Sequence, residues 1–371
     1  DRVREVAGGM RGYYLARTAP RWLAPIADRT LGRTAQRWLD RTAADVHAGL
    51  TDDPKLRALF AAQWGYYGAP PSRASFAMQA LVVKHFLHGA WYPEGGSAAI
   101  AEGLLATVAE AGGWTRIRAD VQRIVIEGGR AVGVELAGGE RISAKLILSA
   151  AGVASTAARL LPEDVASQPW ARSVAALRPG PAHVCLYLGF KGDIRGAGAG
   201  AANQWFYGSW DPEEEAWDAP PEGDVGRASC LYCSFPSLKD PKHRVEGEER
   251  HTGEVVTFMP WDTFARWQGT PWRERGSDYE AFKARLQARL LEQFFEKMPG
   301  LEPMLDFVEL STPLSTDHFC RPMRGSIYGL EPTPERFRNA WLRPASPIRG
   351  LFFAGSEVTS VGVMGAMMGG V

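Results

Sequence analysis

The last 21 residues of the chain form its strongest candidate for a ligand site. Leu351 to Ala354 is a short apolar run that predicts a buried strand, and a turn leads from it into a small-residue helix near Gly362. Glycines let a backbone come close to a flat group, and a helix N-terminus offers free N–H groups with a partial positive charge. The pattern suits a seat for an anionic or electron-accepting ring, and equally a glycine-rich helix packed on a sheet. The residues of this candidate seat are Gly355, Ser356, Glu357, Gly362, Val363, Met364 and Gly365.

Two earlier segments would have to position this seat. Residues 146–151 predict a buried strand that ends in Ala150 and Ala151, and α/β sheets bind ligands at the carboxyl ends of such strands. Val121 lies in a β unit whose strands are expected at 115–118, 121–127, 131–136 and 141–142, with Gly-Gly turns between them.

Helices and further strands are predicted around these segments. A turn from Tyr92 to Ser97 opens a helix over 98–111, and Asp53 with Pro54 marks another helix start. Strands are expected near 183–190, 228–235 and 254–259, and a long helix over 278–297.

Composition excludes several classes of protein. The 371 residues carry 42 basic and 42 acidic side chains, which argues against nucleic acid as the main partner. Four cysteines are too few for a disulfide scaffold, so we expect a reducing, cytoplasmic location. Cys230 and Cys233 lie in a strand-like run, where a structural role is favoured over redox or zinc chemistry. No run of 18 apolar residues occurs, so no membrane-spanning helix is expected.

Residues 10–41 form an unusually basic segment with interleaved aromatic residues. Arg29, Arg33, Arg37 and Arg41 recur at every fourth position, which predicts one stripe along a single helix. A basic helix with tryptophan on its apolar side suits a membrane surface, here the inner face, to which the protein would bind peripherally. An ordinary helix with a solvated basic face fits the same pattern.

The order of these motifs resembles a known family. The turn at 92–97 with its helix, the segments 119–124 and 146–151, the stretch from Tyr328 to Pro334 and the terminus occur together in the flavin-dependent phytoene desaturase-like enzymes. Within that family the chain is most similar to the retinol saturase and carotenoid isomerase group, notably at 234–241 and 275–282.

This resemblance implies an α/β, Rossmann-like, two-domain fold that binds FAD non-covalently. Residues 1–90 would be a mostly helical segment facing substrate or membrane, and 91–170 part of the FAD-binding domain. Residues 171–330 would bind substrate, and 331–371 would return to the FAD-binding domain. Carried over by position, Val121 would lie at the adenine, and Ala150 and Ala151 would flank the adenosine. The terminal seat would hold the ribityl chain, pyrophosphate and flavin, and the substrate residues would be Tyr92, Gly95, Gly96, Ser97 and Tyr328.

The implied activity is oxidation or reduction at carbon–carbon double bonds of an apolar polyene or lipid, such as a retinoid or carotenoid. Saturation, desaturation and isomerisation all fit, and NAD(P) is a candidate electron partner. No catalytic residue is assigned, and no metal site is expected. An amine-oxidising flavoenzyme and a flavin-free, lipid-binding relic stay open as alternatives. Val358, Thr359, Ser360 and Val361 disfavour the first, since an aromatic pair is expected there.

One family motif is missing. Relatives hold the FAD pyrophosphate with a GxGxxG loop after their first strand, and this sequence contains no such motif. Gly196 to Ala202 can be forced onto GxGxxA, but no buried strand directly precedes it, so we expect a loop. Truncation of a longer protein is favoured over true loss, and these 371 residues alone are expected to bind FAD poorly and to be inactive.

Overall fold

The computed structural model describes residues 2–20, 22–214, 216–244 and 247–370. Short 3₁₀ turns occur between some of the helices and strands, and a π-helical turn, Thr156–Leu160, continues α8. The α-helices are α1 (Arg2–Thr18), α2 (Ala24–Thr30), α3 (Arg33–Leu39), α4 (Ala43–Ala48), α5 (Pro54–Ala61), α6 (Phe76–Phe86), α7 (Ala98–Glu110), α8 (Val153–Ser155), α9 (Glu163–Ala166), α10 (Pro169–Ala175), α11 (Ser277–Lys297), α12 (Pro313–Cys320), α13 (Pro334–Arg338) and α14 (Gly362–Met368).

The strands of the described chain form three sheets. An antiparallel meander has the order β1-β2-β3, a parallel pair joins β10 to β4, and a five-stranded antiparallel sheet has the order β6-β7-β8-β5-β9. The strands are β1 (Val121–Glu127), β2 (Arg130–Leu136), β3 (Arg141–Ser143), β4 (Ile147–Ser149), β5 (Ala182–Lys191), β6 (Gln204–Tyr207), β7 (Cys230–Ser234), β8 (Arg250–Met259), β9 (Leu305–Ser311) and β10 (Leu351–Phe353).

The five-stranded sheet has one face in a hydrophobic core. Alternate residues of β5, from Val184 to Phe190, pack there with the apolar stripe of α11, including Phe282 and Leu286. Because side chains alternate across a strand, His183, Cys185 and Tyr187 must point to the opposite face. We call this opposite face the substrate face, because several of the predicted substrate residues line a cavity on it.

A layer of N-terminal helices covers part of the substrate face. The 3₁₀ turn Trp64–Tyr66 packs against it, with the Trp64 ring 5.0 Å from Phe258 and the Tyr66 ring 5.3 Å from Trp205. A Cβ at Gly65 would overlap the Trp205 ring, so glycine is required for this approach. The turn therefore fixes the aromatic end of the substrate face.

Most of the predicted elements are confirmed, with small shifts at their ends. The terminal strand and helix, the meander and the long helix lie where the pattern predicts them. The predicted strand at 115–118 is wrong, because Arg118 has a φ of +54° and the segment pairs with no other strand of the described chain. The CxxC pair is buried in β7, where burial raises the pKa of Cys230 to about 11 and of Cys233 to about 12.

The prediction of one continuous basic helix is also wrong. The chain breaks at Leu31 and Gly32, so that Arg29 belongs to α2 while Arg33 and Arg37 belong to α3. The Leu31 carbonyl contacts Gly12 so closely that no side chain fits there. The break thus lets both short helices pack on α1. Arg21, part of the same basic segment, lies outside the described residues.

Candidate functional site

The strands predicted to flank the ligand seat are neighbours. Leu351 pairs with Ile147 and Phe353 with Ser149 in a parallel register, so both strands end at the same edge. The loops that follow them open on a cavity of about 760 Å³. Five predicted cofactor residues line this first cavity: Ala150, Ala151, Gly355, Ser356 and Glu357.

Glu357 is buried between the two loops. Its Oε2 accepts a hydrogen bond from the backbone N–H of Ala154, 3.0 Å away, at the start of α8. Gly152 and Gly329 leave room for the carboxylate, since a Cβ would lie 3.1 Å and 2.8 Å from Oε1. Burial raises the pKa of Glu357, while that bond and the charge of Arg336 oppose the rise. The carboxylate thus joins the ends of β4 and β10.

One glycine of α14 and one just after it pack against the protein itself. A side chain at Gly365 would overlap Ser360, and one at Gly369 would overlap the backbone of Gly355. Gly362 has a φ of +87° and nothing close to it, while Val363 and Met364 are each 60% exposed. Two of the glycines thus serve close packing rather than the approach of a ring, and 362–365 do not line the first cavity.

Val121 lies apart from this cavity. It begins β1, pairs with Leu136 in the meander and is half-buried. Asp120 beside it forms an ion pair with Arg321, 2.8 Å away, which ties the meander to the loop after α12. Its assignment to the adenine stays a prediction.

The predicted substrate residues separate into two groups. Tyr92, Gly95, Gly96 and Ser97 line a second cavity of about 650 Å³ on the substrate face. Tyr328 lines neither cavity; its hydroxyl donates to the Gly65 carbonyl, 2.9 Å away, and burial raises its pKa. Its neighbours Ile327 and Gly329 do line the first cavity.

Several polar residues of the substrate face belong to none of the sequence motifs. Tyr187 lines both cavities, His183 lines the first and Glu254 lines the second. Burial lowers the pKa of His183 to about 4 and, with help from nearby acidic groups, raises that of Tyr187 to about 12. His183, Tyr187 and Glu254 lie in strands whose sequences match no known site motif. In the sequence, only the two-residue alternation of a strand could have indicated that His183 and Tyr187 lie on the same face.

The N-terminal helices carry exposed apolar and basic residues. Trp22 is 80% exposed, and the four arginines of the predicted stripe are all exposed. Within the described ranges, we find no helix with the length and hydropathy required to span a bilayer.

Known proteins match almost the whole chain. The sequence pattern of the flavin-containing amine oxidoreductases matches residues 36–371. The all-trans-retinol 13,14-reductase of Danio rerio is 30% identical over 340 residues, 89% of this chain and 56% of that protein. The chloroplastic prolycopene isomerase of Arabidopsis thaliana is 27% identical over 69% of this chain and 40% of its own length. The neurosporene-forming phytoene desaturase of Cereibacter sphaeroides is 26% identical over 84% and 58%, respectively.

The chain therefore spans a little over half the length of the reductase. An oxidoreductase from Methanosarcina mazei has a similar structure, with a TM-score of 0.59 and 15% identity over 88% of this chain and 66% of that one. At this identity the likeness shows the fold alone, and it confirms the fold class expected from the sequence.

Proposed function

This chain belongs to the family of flavin-containing amine oxidoreductases, and from that premise we propose that it is part of an FAD-dependent oxidoreductase acting on carbon–carbon double bonds of an apolar polyene. The observation that carries the proposal is the first cavity, where the loops after β4 and β10 meet the substrate face. A ligand at the strand ends would thus lie beside a substrate on that face.

The residues around the first cavity fit one side of a flavin cofactor. Gly152 and Gly355 have φ values of +88° and +98°, and their loops follow parallel strands, the usual place for a cofactor in an α/β sheet. The volume of about 760 Å³ lies in the ordinary range of small-molecule sites. We propose that 150–152 and 355–357 hold the cofactor along its ribityl side. When bound, FAD supplies hydride transfer.

The protein's own share of the chemistry is orientation and exclusion of water. Both cavities have mixed linings, with aromatic side chains such as Trp272 and Phe319 in the first and Phe190 and Phe307 in the second beside charged and hydroxyl groups. An apolar substrate would lie along the aromatic part of each lining. The aromatic segments 64–67, 205–207 and 258–261 lie on or against the substrate face, where the ring centres of Trp205 and Tyr232 are 4.9 Å apart. Each of these rings also packs in a core, so substrate contact is proposed for the segments rather than for single residues.

Reduction is the reaction we propose among the three open outcomes. The reductase relative is more similar to this chain than the isomerase or desaturase relatives described above. NAD(P) is proposed as the source of electrons, and residues 10–41 as the surface that contacts a membrane. Amine oxidation is the second candidate, because the family takes its name from it.

The test is conversion of a polyene by the native protein. Purified protein with FAD and a chemical reductant is given a polyene alcohol without oxygen, and loss of the long-wavelength absorbance reports a shortened conjugated system. We expect a product two hydrogens heavier by mass spectrometry. In a separate assay with oxygen and without reductant, hydrogen peroxide release from amines, together with no change to the polyene in the first assay, would instead identify the second candidate.

A further inference from the structure

A row of polar residues crosses the substrate face. Ser234 of β7 lies opposite Glu254 of β8, Glu254 opposite Tyr187 of β5, and Tyr187 opposite Glu309 of β9. Directly opposed side chains in antiparallel strands have Cβ atoms about 5 Å apart. The row therefore brings four polar groups together beside the aromatic side chains of Trp205, Tyr232 and Phe258.

Glu254 carries the half-buried carboxyl group of the row. Its carboxyl forms no hydrogen bond or ion pair with another described residue, although it is half-buried. The nearby ammonium of Lys239 donates to Ser234 Oγ, 2.6 Å away, and to Asn203 instead. Glu309, by contrast, lies exposed on the edge strand. Burying a carboxyl group without partners is costly, so such a group suggests a use.

Glu254 lies next to the residue that lines both cavities. It lines the second cavity together with Tyr92 and Ser97, while its neighbour Tyr187 lines both cavities. A polyene that lies along Tyr187 would point one of its ends toward the ends of β4 and β10. The Glu254 carboxyl would then lie beside the polyene. Thr252, next along this face of β8, is exposed, so the second cavity opens to water there.

Burial raises the pKa of Glu254, and the positive charge of Lys239 partly opposes the rise. A proton is thus retained at higher pH than on an exposed glutamate, which suits a proton donor. The titratable groups that face this carboxyl are Lys239, Tyr187, Tyr92, Tyr232 and Cys185.

We propose that the Glu254 carboxyl contacts the polyene and donates the proton when a double bond is reduced. This inference rests on the proposed function. One carbon of the double bond takes a hydride from the reduced flavin, and the π electrons of the double bond form the second C–H bond with the Glu254 proton. The polyene is reduced by two electrons, the flavin is oxidised, and the carboxylate regains its proton from water at the open end of the second cavity.

The experiment uses the native, flavin-loaded protein and the variants Glu254→Gln, Glu254→Asp and Glu248→Gln. Glu248 is an exposed glutamate shortly before β8 and serves as the matched control. We expect Glu254→Gln to lower kcat about 100-fold or more, the usual contribution of a general acid. Bound flavin absorbance and polyene affinity, read by tryptophan fluorescence quenching, should stay within twofold. The control should keep the wild-type rate.

The pH dependence separates a proton donor from a structural role. Because the protonated form donates, wild-type kcat should fall as pH rises through the pKa of Glu254. The fall in kcat should persist in Glu254→Asp and be absent in Glu254→Gln. The infrared band of protonated carboxyl groups, which needs no turnover, should lose one titrating component in Glu254→Gln.

Two outcomes would overturn the assignment of Glu254. One is a Glu254→Gln variant that keeps kcat within threefold of wild type, and the other is a loss of rate that follows a loss of bound flavin or polyene. If the wild-type protein converts no polyene at all, the proposed function itself fails. The infrared titration would then still show whether Glu254 takes up a proton in the cavity.

Discussion

Glu357 illustrates how one side chain can join two loops of a site. The family resemblance predicts contact with a ribityl hydroxyl, and the structure shows the carboxylate accepting the Ala154 N–H. A carboxylate has two oxygens and several lone pairs, so it can accept more hydrogen bonds than this one. The role toward the cofactor is still a prediction, but the structural role of Glu357 follows from its geometry.

Gly329 should be essential for this arrangement. A Cβ there would lie 2.8 Å from Glu357 Oε1, and its φ of +70° already disfavours a side chain. Gly329→Ala should lower the free energy of unfolding by about 2–4 kcal/mol. Gly198→Ala is the matched control, because Gly198 has a φ of +95° and open space around it. Equal losses in urea denaturation would contradict the contact with Glu357.

His183 should make stability depend on pH. Burial lowers its pKa from 6.5 to about 4, so the neutral ring stabilises the fold above pH 6.5 and that contribution is lost as pH falls toward 4. A shift of this size corresponds to roughly 3 kcal/mol. His183→Gln should therefore lose less stability than wild type between pH 7 and pH 4, measured by urea denaturation. His88→Gln, at an exposed histidine, should behave as wild type.

Among the elements, α2 and α3 show why a charge stripe does not define one helix. Arg29, Arg33 and Arg37 keep the spacing of a stripe, but Leu31 and Gly32 form a corner against α1. All of these arginines stay exposed, and so do the apolar side chains of Trp22 and Ile26. The corner therefore leaves a basic surface with exposed apolar groups, which suits a membrane interface.

Binding to anionic vesicles tests this surface. Arg33→Gln should weaken vesicle binding about fivefold, since one basic residue near an anionic membrane contributes about 1 kcal/mol. Trp22→Ser should weaken it further, and Arg349→Gln, an exposed arginine before β10, should change nothing. The measurement is flotation with vesicles that contain anionic lipid. Binding that ignores Arg33 and Trp22 would indicate an ordinary solvated face.

For the whole molecule, exposed apolar side chains are found on α7, β4 and α14. Helix α7 has no buried residue although it is strongly apolar, and Leu104 is 52% exposed. Leu148 of β4 and Met364 of α14 are more than half exposed as well. An apolar surface of this kind usually meets another surface.

A polypeptide of these 371 residues should bind FAD weakly. Its sequence has no GxGxxG motif, and the backbone N–H groups of such a loop are the ones that would bind the pyrophosphate. After mixing with FAD and gel filtration, we expect little flavin absorbance in the protein peak. Glu357→Gln in the same polypeptide should then change nothing measurable. Retention of stoichiometric flavin would show that the loops after β4 and β10 suffice.

The sequence by itself determined the family, the fold class and the elements that end at the first cavity. Short apolar runs followed by small residues, as at 146–151 and 351–357, specify strands and turns locally. Periodicity also located α11 and most strands, because burial imposes it on each element. These sequence patterns can be recognised without knowing which segments pack against one another in the fold.

Only the tertiary structure decided which side chains face one another. Glu254, Tyr187 and Ser234 lie in separate strands, and their row exists only because of the sheet order and register. The contact of Glu357 with Gly329, and the corner at Leu31, likewise depend on packing between distant segments. Residue propensity and spacing report local backbone geometry. The burial of a side chain, its pKa and its hydrogen-bond partners depend on the folded molecule.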